Sequence, residues 1–102
     1  MFALFKPVEQ ITTQELKKRL PKKSKLIDVR TSREFKAGHI KGATNLPLNE
    51  INRFNGKKDQ PVYVICQSGM RSKQACKRLM KKGYKVINVR GGMNQWKTTK
   101  GE

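Results

Sequence analysis

Pro61-Val62-Tyr63-Val64-Ile65-Cys66-Gln67-Ser68-Gly69-Met70-Arg71-Ser72 is the stretch from which the fold can be read. Its first six residues are an almost unbroken apolar run, as expected of a strand covered on both faces of a parallel sheet. Gln67 to Met70 follow as a tight polar loop. From Arg71 to Lys82 the apolar residues Ala75, Cys76, Leu79 and Met80 recur as one helical stripe, and Gly83 supplies the stop. Strand, tight loop and helix in direct succession make a βα unit. In an open α/β sheet, ligands bind beyond the carboxyl ends of the strands, and that is where this unit places Cys66.

Working outward, the same grammar repeats. Thr12 with Glu15 three residues on forms a capping box, predicting a helix over about Thr13 to Leu20 with Leu16 and Leu20 on its buried face and Pro21 closing it. Lys25 to Val29 reads as a buried strand with Asp28 and Arg30 at its carboxyl end. Thr31 to Glu34 then opens a helix whose Phe35 can turn inward before Gly38 ends it. Ala43 to Leu46 predicts a short strand stopped by Pro47. Leu48, Ile51 and Phe54, spaced by three, predict a short helix, and Asn55 to Asp59 a turn. Val86 to Val89 reads as a last strand, followed by Gly91-Gly92, a short helix carrying Trp96, and a frayed tail over 98–102. With 102 residues, no repeat and no linker, one domain spanning 1–102 is expected.

Composition narrows the function classes. Lys and Arg total 24 against 7 acids, a formal charge of +17 that favours anionic partners without naming one. The apolar fraction of 35% permits only a small core. The apolar start, Met1 to Phe5, is too short for a secretory core or a membrane span, so a soluble cytoplasmic protein is expected, with no membrane partner. Two cysteines and one histidine cannot build a disulfide framework or a standard Cys/His zinc site, so no metal is expected and Cys66 is read as a reduced thiol.

The loop itself suggests the chemistry. The first amides of a helix lack intrahelical partners, and Gly69 permits the backbone conformation that curls a loop into an anion-binding nest. A sulfur at the centre of such a cup is stabilised in its ionised form by those amides and by the helix's positive end, making Cys66 a nucleophile that needs no general base. Arg71 can offer a planar fork of donors to an oxyanion, and Ser72 can add a hydroxyl. Cys76, on the apolar stripe, reads as a buried structural thiol.

Taken with Asp28-Val29-Arg30, Glu34-Phe35, Gly38-His39-Ile40-Lys41-Gly42-Ala43-Thr44-Asn45 and Gly91-Gly92-Met93-Asn94-Gln95-Trp96, the Cys66 loop resembles that of single-domain rhodaneses, the thiosulfate sulfurtransferases, over about Ile11 to Trp96. The resemblance implies an α/β fold with a five-stranded, mainly parallel sheet and helices on both faces. It implies that Cys66 takes a sulfane sulfur from thiosulfate or a similar donor and passes it as a persulfide to cyanide or a thiol. Gln67, Ser68, Gly69, Met70, Arg71 and Ser72 then bind substrate, and no cofactor is needed. Related phosphatases have a loop one residue longer, so phosphoryl transfer is disfavoured. His39 lies in a structural motif of the family, Asp28 and Arg30 are expected to brace the loop, and Trp96 to pack.

Lys73, Lys77 and Lys81 repeat at i, i+4 beside the loop, with Arg78, Lys82 and Lys85 nearby. A solvated face explains this pattern as well as steering of anionic donors or docking of an acidic protein partner does. Without a recognition helix or an aromatic stacking platform, nucleic acid is not expected as the main ligand.

Overall fold

The structure, a computed structural model, describes residues 7–20 and 25–96. The apolar start, Pro21 and the tail over 98–102 lie outside those residues. In chain order the elements are β1 (Glu9–Ile11), α1 (Thr13–Arg19), β2 (Lys25–Asp28), α2 (Ser32–Lys36), β3 (Thr44–Asn45), a 3-10 helix (Leu48–Arg53), β4 (Val62–Ile65), α3 (Met70–Lys81), β5 (Val86–Val89) and α4 (Gly92–Trp96).

The predicted capping box at Thr12 forms, and the helix start read at Thr31 proves to carry a second one. Thr12 and Glu15 satisfy each other's backbone N–H at the start of α1, and Thr31 and Glu34 do so at the start of α2. The three-residue spacing of Leu48, Ile51 and Phe54 belongs to a 3-10 helix, in which residues three apart eclipse on one side. Ile51 from that helix is completely buried. Phe35 does not turn into the core as expected. It is half-buried and stacks on His39 with ring centroids 3.6 Å apart, and α2 buries none of its residues.

The sheet has the order β1-β5-β4-β2-β3, and every pairing is parallel, where a mainly parallel sheet was expected. Parallel pairing requires crossovers, and the helices that make them cover both faces. Along β4 the side chains alternate. Val62 and Val64 join Ile27, Val86, Ala75, Cys76, Leu79 and Ile51 in one core under α3 and the 3-10 helix. Tyr63 and Ile65 join Leu26, Ile87, Leu16 and Met93 in a second core under α1 and α4, where the Lys17 ammonium sits 5.5 Å from the centre of the Trp96 ring. Among the described residues no helix is long and apolar enough to cross a membrane.

This strand order positions the site. The chain leaves β2 toward β3 at one edge, and leaves β4 toward β5 on the opposite side. β2 and β4 are neighbours whose connections diverge, so a crevice opens between their carboxyl ends. Asp28 and Arg30 end one strand and Cys66 ends the other.

Candidate active site

Cys66 emerges from β4 into a loop that closes at Gly69, which caps the N-terminus of α3 at φ +104. That conformation suits glycine, and a Cβ there would also lie 3.2 Å from the Gly91 nitrogen. Curled this way, the loop brings the Gly69 N–H to the Cys66 Sγ at 3.0 Å. The thiol in turn donates to the Ser72 hydroxyl oxygen at 3.3 Å, and that hydroxyl donates to Asn88 Oδ1 on β5. Cys66 and Ser72 are both completely buried beneath the loop.

The turn after β5 holds the loop from the other side. Met93 N–H donates to the Cys66 carbonyl at 2.8 Å and Asn94 N–H to the Gln67 carbonyl at 3.0 Å, while the Gln67 side-chain amide donates to Asn94 Oδ1 at 2.6 Å. So close a backbone approach needs Gly92. At φ +56, a Cβ on it would stand 2.4 Å from the Cys66 carbonyl oxygen. Gly92→Ala is therefore expected to lose about 1–3 kcal/mol of stability in urea unfolding, through strain and the displaced loop.

Asp28 and Arg30 brace the crevice as a buried forked ion pair, 0% and 3% exposed. Arg30 Nε donates to Asp28 Oδ1 at 3.0 Å and Nη2 to Oδ2 at 2.8 Å. The same guanidinium donates to the Gly38 carbonyl at 2.8 Å and to Gln67 Oε1 at 3.2 Å, tying β2 to the Cys66 loop. Asn45 closes the arrangement by donating its amide to the Asp28 and Arg30 carbonyls, both at 3.0 Å.

Arg71 is not an open fork for an oxyanion. Both of its terminal nitrogens donate to Glu34, at 2.8 and 2.9 Å. Arg71 first, with the Thr31 backbone N–H helping, holds the Glu34 carboxyl down at about 2. Because the folded value lies below the ordinary 4.5, the pair's stabilisation is complete above that pH and is lost as pH falls through about 2. The stability difference between the wild type and Glu34→Gln is thus expected to be largest near neutrality and to shrink steadily from pH 4.5 downward in acid titrations of unfolding.

Residues 12–99 match the rhodanese-like domain family. The chain belongs to that family. Among its relatives, it is 41% identical over 78 residues to the uncharacterized protein YqhL of Bacillus subtilis, covering 74% of this chain and 62% of YqhL. It is 39% identical over 94 residues to a sulfurtransferase of Allochromatium vinosum, covering 87% of this chain and 88% of that one. It is also 38% identical over 74 residues to the putative sulfur carrier protein YrkF of Bacillus subtilis, covering 70% of this chain and 40% of the carrier. A rhodanese-like domain protein from Staphylococcus aureus has the same fold, with a TM-score of 0.79 and 37% identity over 87% of this chain and 91% of that one.

The other candidate positions of this rhodanese-like domain make no hydrogen bond to the Cys66 sulfur. Ser68 is exposed, and Met70 is 69% exposed. His39 is exposed, with Nδ1 2.8 Å from the Phe35 carbonyl and its ring against Phe35. Cys76 lies in the core under α3, where burial first and Cys66 second push its thiol up to about 12, leaving it inert. Trp96 packs against the core under α1 and α4. Contributors not read as site residues from the sequence include Glu34 as the partner of Arg71, Asn94 as the partner of Gln67, Asn45 on the Asp28 and Arg30 carbonyls, Gly92 under the loop, and Asn88. For Asn88 a signal existed, because a lone amide in the apolar run Val86-Ile87-Asn88-Val89 must find partners when buried.

Proposed function

We propose that this protein is a sulfurtransferase working through a persulfide on Cys66. The observation that carries the proposal is the sulfur's place at the carboxyl end of β4, with the Gly69 N–H on it and the Ser72 hydroxyl beside it. The Cys66 thiolate attacks the outer sulfur of thiosulfate, a new S–S bond forms, the S–S bond of the donor breaks, and sulfite leaves with the electron pair. Cyanide or a thiolate then attacks the terminal sulfur of the persulfide, giving thiocyanate or a new persulfide and returning the Cys66 thiolate. The amides of the loop from Gln67 to Ser72 stabilise the charge on the persulfide, and no cofactor takes part. Because Cys66 is completely buried, loading requires the loop to open. An open cleft of about 460 Å³ beside the loop, lined in part by Val29, Pro47, Leu48, Arg71 and Arg78, is the approach for donor and acceptor. Mixing the protein with thiosulfate alone should release one sulfite per chain and then stop, with turnover resuming on addition of cyanide. Sulfite release that needs the acceptor from the start would contradict the two-step route.

A second reading, a sulfur-carrier module loaded by an acidic partner protein, is favoured by two observations. The Arg71 fork that would hold thiosulfate is engaged by Glu34. Lys73, Lys77, Arg78, Lys81 and Lys85 are exposed, and no carboxylate of the described residues forms an ion pair with them, whereas Lys82 is held by the Asn52 and Phe54 carbonyls. Slow turnover with thiosulfate beside fast, salt-sensitive loading from a protein persulfide would select this reading.

A further inference from the structure

A buried polar chain runs from the reactive sulfur through Ser72 and Asn88 to Gln10 on β1, and sulfur transfer as described above makes no use of its far end. The Ser72 hydroxyl has a single proton and faces three acceptors: the Cys66 sulfur at 3.3 Å, the Gly69 carbonyl at 3.2 Å, and Asn88 Oδ1 in a short contact. The orientation of Asn88 is set by its other end, where Nδ2 donates to Gln10 Oε1 at 3.0 Å and faces the Gly69 carbonyl at 3.4 Å. A carbonyl cannot donate, so Oδ1 must be the atom that faces Ser72.

We propose that Asn88 is a positioning residue that competes with Cys66 for the Ser72 proton and thereby restrains the reactivity of the sulfur. With Cys66 a thiol, every group is satisfied: S–H donates to Ser72, and Ser72 donates to Asn88. When the sulfur is a thiolate, the hydroxyl turns to donate to it. Asn88 Oδ1 is then left buried and unpaired, 1% exposed, against another oxygen. The charged groups around the sulfur come from other elements: Arg71 at the start of α3 with Glu34 of α2, and the Asp28–Arg30 pair after β2. The neutral Cys76 thiol on α3 completes the set, and β5 and β1 contribute the amides of Asn88 and Gln10.

The inference rests on Cys66 being the reactive sulfur, but its test needs no sulfur donor. The rate at which a neutral haloacetamide alkylates Cys66 is followed against pH. Asn88→Val, which suits a strand, is expected to lower the midpoint of the profile by about one pH unit, a tenfold gain in thiolate at a given pH. Gln10→Ala, at the exposed end of the chain, is expected to shift it the same way by less and serves if the first variant does not fold. In a Ser72→Ala background both shifts should vanish, whereas a change in loop opening would alter the plateau and persist there. An unmoved midpoint, or an equal shift without Ser72, would overturn the proposal. Sulfite release in the wild type reports separately on sulfur transfer.

Discussion

Cys66→Ser is expected to lower sulfur transfer at least about a thousandfold while leaving the fold intact. Serine has nearly the shape of cysteine, and its oxygen can still accept the Gly69 N–H and face Ser72, so the buried loop keeps its partners. What is lost is the chemistry, since a hydroxyl forms no S–S bond and is not ionised near neutral pH. The second thiol cannot substitute. Cys76 is sealed in the core and, at about 12, is protonated at neutral pH. Sulfite release and urea unfolding measured on one preparation separate the two effects. Transfer near the wild-type rate in the serine variant would remove Cys66 from the reaction.

Arg30→Ala is expected to be the most destabilising substitution around the site, by about 3–5 kcal/mol in urea unfolding. Asp28 has no exposure to water, so its carboxylate would keep its desolvation cost and lose its counter-charge. The Gly38 carbonyl and Gln67 Oε1 would lose a donor in the same step, releasing the loop from β2. Adding Asp28→Asn should recover about 1–3 kcal/mol, since it removes the stranded charge. A loss below 1 kcal/mol for Arg30→Ala alone would show that the pair braces nothing.

The sequence was most legible where local rules acted alone. The capping box at Thr12, the helix start at Thr31, the Val62–Ile65 strand and the apolar stripe of α3 were each readable from a few neighbouring residues. The strand β1 was not, because it is three residues long and buries only Ile11; its pairing with β5 comes from residues almost eighty positions away. Phe35 was misread for a related reason. Its apolar character said that it needs a partner, but not that the His39 ring would be that partner.

At the site, the positions of Cys66, Gly69 and Ser72 followed from spacing, since strand, loop and helix are contiguous. The engagement of Arg71 did not. Glu34 already closes the α2 capping box by accepting the Thr31 N–H on Oε1, and that both of its oxygens also take up the Arg71 fork depends on where α2 lies relative to α3. The burial of the sulfur depends likewise on the Gly91-Gly92 turn closing over the Cys66 and Gln67 carbonyls. Long-range contacts of this kind set how hard the loop is to open, and thus how readily donors reach the sulfur.

That the Cys66 sulfur is the atom that receives sulfur is tested most directly by intact-mass measurement after incubation with thiosulfate or a protein persulfide. The predicted result is a gain of one sulfur atom that maps to Cys66, disappears on addition of cyanide, and is missing in Cys66→Ser. An unchanged mass with every sulfane donor, or added sulfur mapping to Cys76, would contradict it.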